Sequence, residues 1–162
     1  MSKMIATVFG VGYLRPAPGT WGSLAAVVFA LAIHVFGGFP ALIVATALIF
    51  VLGWWATSAM TRGSEDHDPS EIVVDEVVGQ WIALWVISYG TWSMGLPALA
   101  MYPGWIAAFV FFRLFDIWKP WLVGWADRRG DALGVMLDDV IAGVFAAIAT
   151  VILGGFYHVV LM

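Results

Sequence analysis

An all-α, polytopic membrane helical bundle is the fold class this sequence predicts, and three observations carry the prediction. Of the 162 residues, 62% are hydrophobic and only 11% charged, with a mean hydropathy of +0.95, too apolar for an ordinary water-soluble surface. Apolar runs such as residues 41–60 and 140–162 approach the roughly 20 residues that a spanning helix requires. Charged residues fall at the ends of such runs and avoid their middles, as the cost of burying charge in hydrocarbon demands. A single domain over residues 1–162 is sufficient for this length.

About five membrane segments follow in order: residues 21–36, 41–60, 72–89, 96–112 and 136–161. The first is short and suits a partial or re-entrant helix whose end is buried against protein. Gly37-Gly38-Phe39-Pro40 supplies a tight hairpin into the second. If the five alternate in direction, Lys3, Arg15, Arg62, Arg113, Lys119, Arg128 and Arg129 all fall on one side, which the positive-inside rule makes cytoplasmic. The opposite loops, 37–40 and 90–103, carry no charge, and Trp92, Tyr102 and Trp105 suit an interfacial aromatic belt there. The N-terminus is interrupted by Arg15, Pro16 and Pro18, lacks the features of a signal peptide, and is expected to be retained.

Several function classes drop out. Net charge is −4 and the seven basic residues are scattered, so there is no basic stripe for nucleic acid. The absence of cysteine removes disulfides, thiolate metal sites and cysteine nucleophiles. His34 and His158 fall toward the face opposite the basic residues and are expected to be structural. Glu65, Asp66 and His67 read as a solvated loop; the Asp66-His67-Asp68 run lacks the preceding buried strand of an aspartyl-phosphate hydrolase.

The remaining acids are more telling. Asp75 and Glu76 enter the third segment, Asp116 leaves the fourth, and Asp138 and Asp139 enter the fifth. All five share one depth, where an Asp at a helix centre costs about 2.5–3.5 kcal/mol on insertion scales. As exposed helix-start acids they are worth only about 0.3–1 kcal/mol each through the helix dipole. A shared hard cation answers the cost better: Mg²⁺ takes oxygen ligands and is commonly held by one or two carboxylates with substrate phosphate. Arg113 and Asp116 share a helical face and Lys119 lies just beyond, so two cations stand beside the acids to grip a phosphoryl group. Upstream, the stretch from Gly10 to Ser23 combines glycines with Thr20 and Ser23 before a helix start, a place where backbone N–H groups cradle anions. It is not a Walker A loop. Arg128 and Arg129 are read as topology and lipid-attraction charges, and Gly79 and Gly143 as helix-contact residues.

Four blocks spanning most of the chain resemble the phosphatidylglycerophosphatase A family. They are Gly10-x-Gly12 with Pro18-Gly19-Thr20-x-Gly22-Ser23; Asp68 with Ile72-Val73-x-Asp75-Glu76-x-x-Gly79; Phe112-Arg113-x-x-Asp116-x-x-Lys119-Pro120; and Gly134-x-Met136-x-Asp138-Asp139-x-x-Ala142-Gly143. Leu122-Val123 and Asp131-Ala132 depart from the family pattern. The resemblance implies Mg²⁺-dependent hydrolysis of the terminal phosphate monoester of phosphatidylglycerophosphate to phosphatidylglycerol, at the cytoplasmic face of the inner membrane. On that reading Asp75, Glu76, Asp116, Asp138 and Asp139 are catalytic; Asp75, Glu76, Asp138 and Asp139 are the metal ligands; Arg113, Lys119, Gly19, Thr20 and Ser23 bind phosphate. Attack by a carboxylate-oriented water and attack by an aspartate both fit these residues. The rival classes are a small transporter or channel subunit, which requires polar groups through the bilayer depth, and a non-catalytic scaffold of lipid synthesis, for which Asp139→Asn is harmless.

Overall fold

A computed structural model describes residues 1–63 and 69–161, without the side chains of His158, Val160 and Leu161. The expected Glu65–Asp68 loop lies outside the described residues. The regular elements among the described residues are all helical: α1 (Ser2–Ala6), a 3₁₀ turn (Val11–Tyr13), α2 (Pro18–Thr61), α3 (Val74–Ser93), α4 (Tyr102–Trp118), α5 (Leu122–Asp127) and α6 (Ala132–Leu161).

Helix α2 takes in the first two apolar segments and breaks between them at Gly38 (φ 67°, ψ −166°). A Cβ at Gly38 would lie 2.5 Å from Trp92 Cδ1, so both the backbone conformation and the space require glycine. The two arms fold back on one another, for Phe29 and Ile33 share an apolar cavity with Ile49 and Leu52. The expected hairpin is therefore present. Its first arm starts at Pro18, earlier than expected, with proline in the first turn where no N–H is needed.

The fourth segment differs more. Expected over 96–112, α4 begins only at Tyr102, with Pro103 in its first turn, and continues to Trp118. Residues 94–101 turn instead, Gly95 having φ 62°. Arg113 and Asp116 thus lie inside a helix. The short helices α1 and α5 were not expected; α5 follows Lys119 and Trp121, which have φ of 49° and 45°. Among the described residues, α2 and α6 are long and apolar enough to cross a membrane, so the count of five is not reached on this measure.

Helix α3 is the centre of the bundle and packs on both arms of α2, on α4 and on α6. Its Trp81 donates to the Ala26 carbonyl (2.8 Å) and its Trp85 to Thr46 Oγ1 (3.2 Å). It meets α6 backbone to backbone: a Cβ on Gly143 would be 2.3 Å from Gly79 O, and one on Gly79 would be 2.5 Å from Asp139 O. These glycines are the helix-contact residues expected of small side chains in an apolar bundle. At the far end, His34 bonds Ser88 Oγ through Nδ1 (2.7 Å) and Thr91 Oγ1 through Nε2 (3.3 Å), a structural role as expected. Trp105 corrects the aromatic-belt reading: it is 4% exposed, donates to the Ala98 carbonyl (3.0 Å) and packs edge-on against His34. Trp92 and Tyr102 remain exposed.

Asp131 starts α6. Its Oδ1 accepts from Gly134 N–H at 2.7 Å, satisfying one of the free donors of the first turn. Hydrogen bonds from Arg129 and from that N–H hold its carboxyl below the usual range. A lowered carboxyl contributes stability at pH values above its unfolded-state pKa and loses it as pH falls through the folded one. Asp131→Ala should destabilise the protein by about 1 kcal/mol near neutral pH, with the difference from the parent shrinking in acid; thermal unfolding in detergent over a pH series checks this.

Candidate active site

The starts of α2 and α3, the first turns of α6 and the end of α4 converge on a cavity of about 360 Å³. Gly19 comes from α2, Asp75 and Glu76 from α3, Arg113 and Asp116 from α4, Lys119 from the turn after it, and Asp138 and Asp139 from α6. Helix starts bring positive dipole ends to the same place, which favours anions.

Carboxylate oxygens of Asp75, Glu76 and Asp139 all lie within 4.8 Å of one another. Asp75 and Asp139 are 7% and 2% exposed, so water screens their repulsion poorly. Glu76 Oε2 and Asp139 Oδ2 are buried with no hydrogen-bond partner among the described residues. An all-oxygen donor set with orphaned buried oxygens fits a hard divalent cation.

The cations are held separately. Arg113 Nη1 pairs with Asp116, approaches Glu76 Oε1 at 3.9 Å and donates to Ser23 Oγ at 3.4 Å. Lys119 pairs with Asp127 and, at 3.0 Å, with Asp138. Burial alone lowers the Lys119 pKa, but the bond to Asp127 and the charge and bond of Asp138 outweigh it and raise it. Lys119 is therefore a fixed positive charge.

Of the four metal ligands expected, Asp75, Glu76 and Asp139 form one group; Asp138 lines the same cavity but bonds Lys119. Asp116 stands with Arg113. Gly19 lines the cavity, and a Cβ there would be 2.2 Å from Glu76 Oε1 and 3.1 Å from Arg113 Nη1, so glycine lets the charged groups reach the α2 start. Thr20 and Ser23 are not in the lining: Thr20 N–H bonds the Ala17 carbonyl at 3.1 Å, and Ser23 Oγ donates to the Gly19 carbonyl at 2.8 Å. Ser23 acts through Gly19 and Arg113. Asp127 was missed by the sequence reading because it reaches Lys119 across an irregular turn, where no helical spacing marks the pair.

Fold and site together define a class: an all-helical protein with a phosphatase-type pocket of acids and cations at the ends of apolar helices. The chain belongs to the phosphatidylglycerophosphatase A family, whose model matches residues 4–154, and it is accordingly a phosphatase. It is 37% identical over 147 residues to phosphatidylglycerophosphatase A of Haemophilus influenzae (90% of this chain, 83% of the relative). To the Escherichia coli protein of that name it is 34% identical over 146 residues (89% and 78%). A protein of Bacteroides thetaiotaomicron provisionally named phosphatidylinositol-3-phosphatase is 39% identical over 150 residues (90% and 88%). No solved structure matches the chain significantly.

Proposed function

We propose that this enzyme hydrolyses the terminal phosphate monoester of phosphatidylglycerophosphate, releasing phosphatidylglycerol and inorganic phosphate, with Mg²⁺ as its cofactor. The observation that carries the reading is the group of three carboxylates, two buried and Glu76 half-buried, within 4.8 Å of one another, lining one cavity with Arg113 and Lys119. The family supports the substrate, and the names of all three relatives share a phosphate monoester on a lipid headgroup. The protein is integral to the inner membrane, with the arms of α2 and helices α3, α4 and α6 as five spanning segments and the cavity at the cytoplasmic face. That depth is where a lipid phosphate resides, so the acyl chains stay in the leaflet.

Asp75, Glu76 and Asp139 would hold the Mg²⁺, which when bound neutralises charge on the phosphoryl oxygens. Asp116 anchors the guanidinium of Arg113, which faces the cavity and grips the phosphoryl group. Lys119, fixed by Asp127 and Asp138, balances charge that develops in the transition state. The start of α2 at Gly19 offers a backbone N–H to a phosphate oxygen. A carboxylate of the group orients a water for in-line attack and takes its proton; the new bond is water oxygen to phosphorus, the bond to the glycerol oxygen breaks, and that oxygen receives the proton.

The test is phosphate release from phosphatidylglycerophosphate by the chain purified in mild detergent. Release with Mg²⁺, falling to background in excess chelator and returning when Mg²⁺ is restored, is the expected result. A folded preparation that releases nothing with Mg²⁺ present would sink the assignment.

A further inference from the structure

Gln80 is completely buried, and neither Nε2 nor Oε1 of its amide has a hydrogen-bond partner among the described residues. A primary amide offers two donor hydrogens and an acceptor oxygen, and native interiors rarely leave such a group unpaired without a use for it. The packing register shows what surrounds it. On α3, Gln80 lies four residues beyond Glu76 and so on the same face. Helix α4 runs antiparallel to α3, with Gly79 against Phe112 and Ile87 against Gly104. The first arm of α2 runs parallel to it, with Gly19 against Glu76, Ala26 against Trp81 and His34 against Ser88. The α2 register brings Gln80 near the level of Ser23, and the α4 register sets it opposite Phe111, two residues from Arg113, one turn beneath the cavity.

Two buried atoms of the cavity residues next above it are also without partners among the described residues: Arg113 Nε and Glu76 Oε2. The four match in kind. Arg113 Nε–H is a donor and Gln80 Oε1 an acceptor; Gln80 Nε2–H is a donor and Glu76 Oε2 an acceptor. We propose that Gln80 is a positioning residue, its amide joining the Arg113 guanidinium to the Glu76 carboxylate through buried water, and so fixing the two groups in their catalytic orientation. Such a bridge lets one side chain hold a phosphate-gripping cation and a metal-holding carboxylate in register, as outer-shell partners do around metal sites. Ser23 holds the guanidinium as well, accepting from Arg113 Nη1 and donating to the Gly19 carbonyl. The inference rests on reading the cavity as the phosphatase site.

The test uses the full chain in detergent with Gln80→Met, apolar and of similar length, and Gln80→Leu as a second apolar variant should the first not fold. Expected are a kcat per folded molecule roughly 10–100-fold below the parent with KM unchanged, and weaker Mn²⁺ binding followed by its EPR signal without substrate. A folded variant with parental kcat and parental Mn²⁺ affinity overturns the role, as does activity lost only in proportion to unfolded protein. If the parent releases no phosphate, the phosphatase reading fails and Mn²⁺ affinity alone decides for Gln80. A parent that neither hydrolyses the lipid nor binds Mn²⁺ overturns both.

Discussion

Asp139→Asn should reduce kcat by at least roughly 10²–10³-fold, the cost of removing one preorganised charged group from a water-poor site, while leaving the protein at least as stable as the parent. The two effects share a cause. Asp139 is 2% exposed, and its Oδ2 has no hydrogen-bond partner among the described residues. It lies within 4.8 Å of the Asp75 and Glu76 carboxylates. In the absence of a cation, a buried negative charge beside two others opposes folding, so its removal relieves strain that function maintains. The amide keeps the shape but forfeits the charge that would hold a divalent ion and the basicity that would take a proton in the proposed reaction. Steady-state assays with thermal unfolding of the same preparation check both halves. Full activity in the folded variant would move the site elsewhere.

The second large effect is mechanical. Gly143→Ala should destabilise the bundle by about 1–3 kcal/mol or more, as overpacking does, and remove most activity with it. The added Cβ would lie 2.3 Å from Gly79 O and 3.0 Å from its carbonyl carbon. Backbone atoms cannot turn aside as a flexible side chain can, so the helices must separate. Asp75 and Glu76 lie within about a turn of Gly79, as Asp139 does of Gly143, and separation of α3 from α6 pulls the three carboxylates apart. Gly154→Ala in the same helix is the control: nothing lies within 4 Å of its Cβ position, and replacing an exposed helical glycine should gain about 0.5–1 kcal/mol. Unfolding temperatures in one detergent, with assays at a temperature where both variants are folded, separate the two cases.

Local features made much of this protein legible in its sequence. The length of the apolar runs announced the helices, the glycines before Pro40 announced the break in α2, and the confinement of charge to run ends announced where chemistry gathers. The order of the four blocks pointed to the family. Features governed by local backbone chemistry also accounted for the miss at α4: with Pro97 and Pro103 both present, the helix takes the second in its first turn, and the apolar residues before it turn instead.

Only tertiary packing decided the rest. Five acids of similar local appearance are sorted by helix register into three partnerships: Asp75, Glu76 and Asp139 together, Asp116 on Arg113, and Asp138 sharing Lys119 with Asp127. Trp105 looks interfacial by sequence and is core because His34 approaches it from α2. Gln80 carries no motif signal, since its buried amide can be related to Arg113 only through the packing of α3 against α4. The physical reason is the range of the interactions: helix formation and hydropathy act over a few neighbouring residues, whereas the partner of a buried charge is fixed by which helix faces meet, and that follows from contacts such as Gly79 on Gly143 across 64 positions of chain.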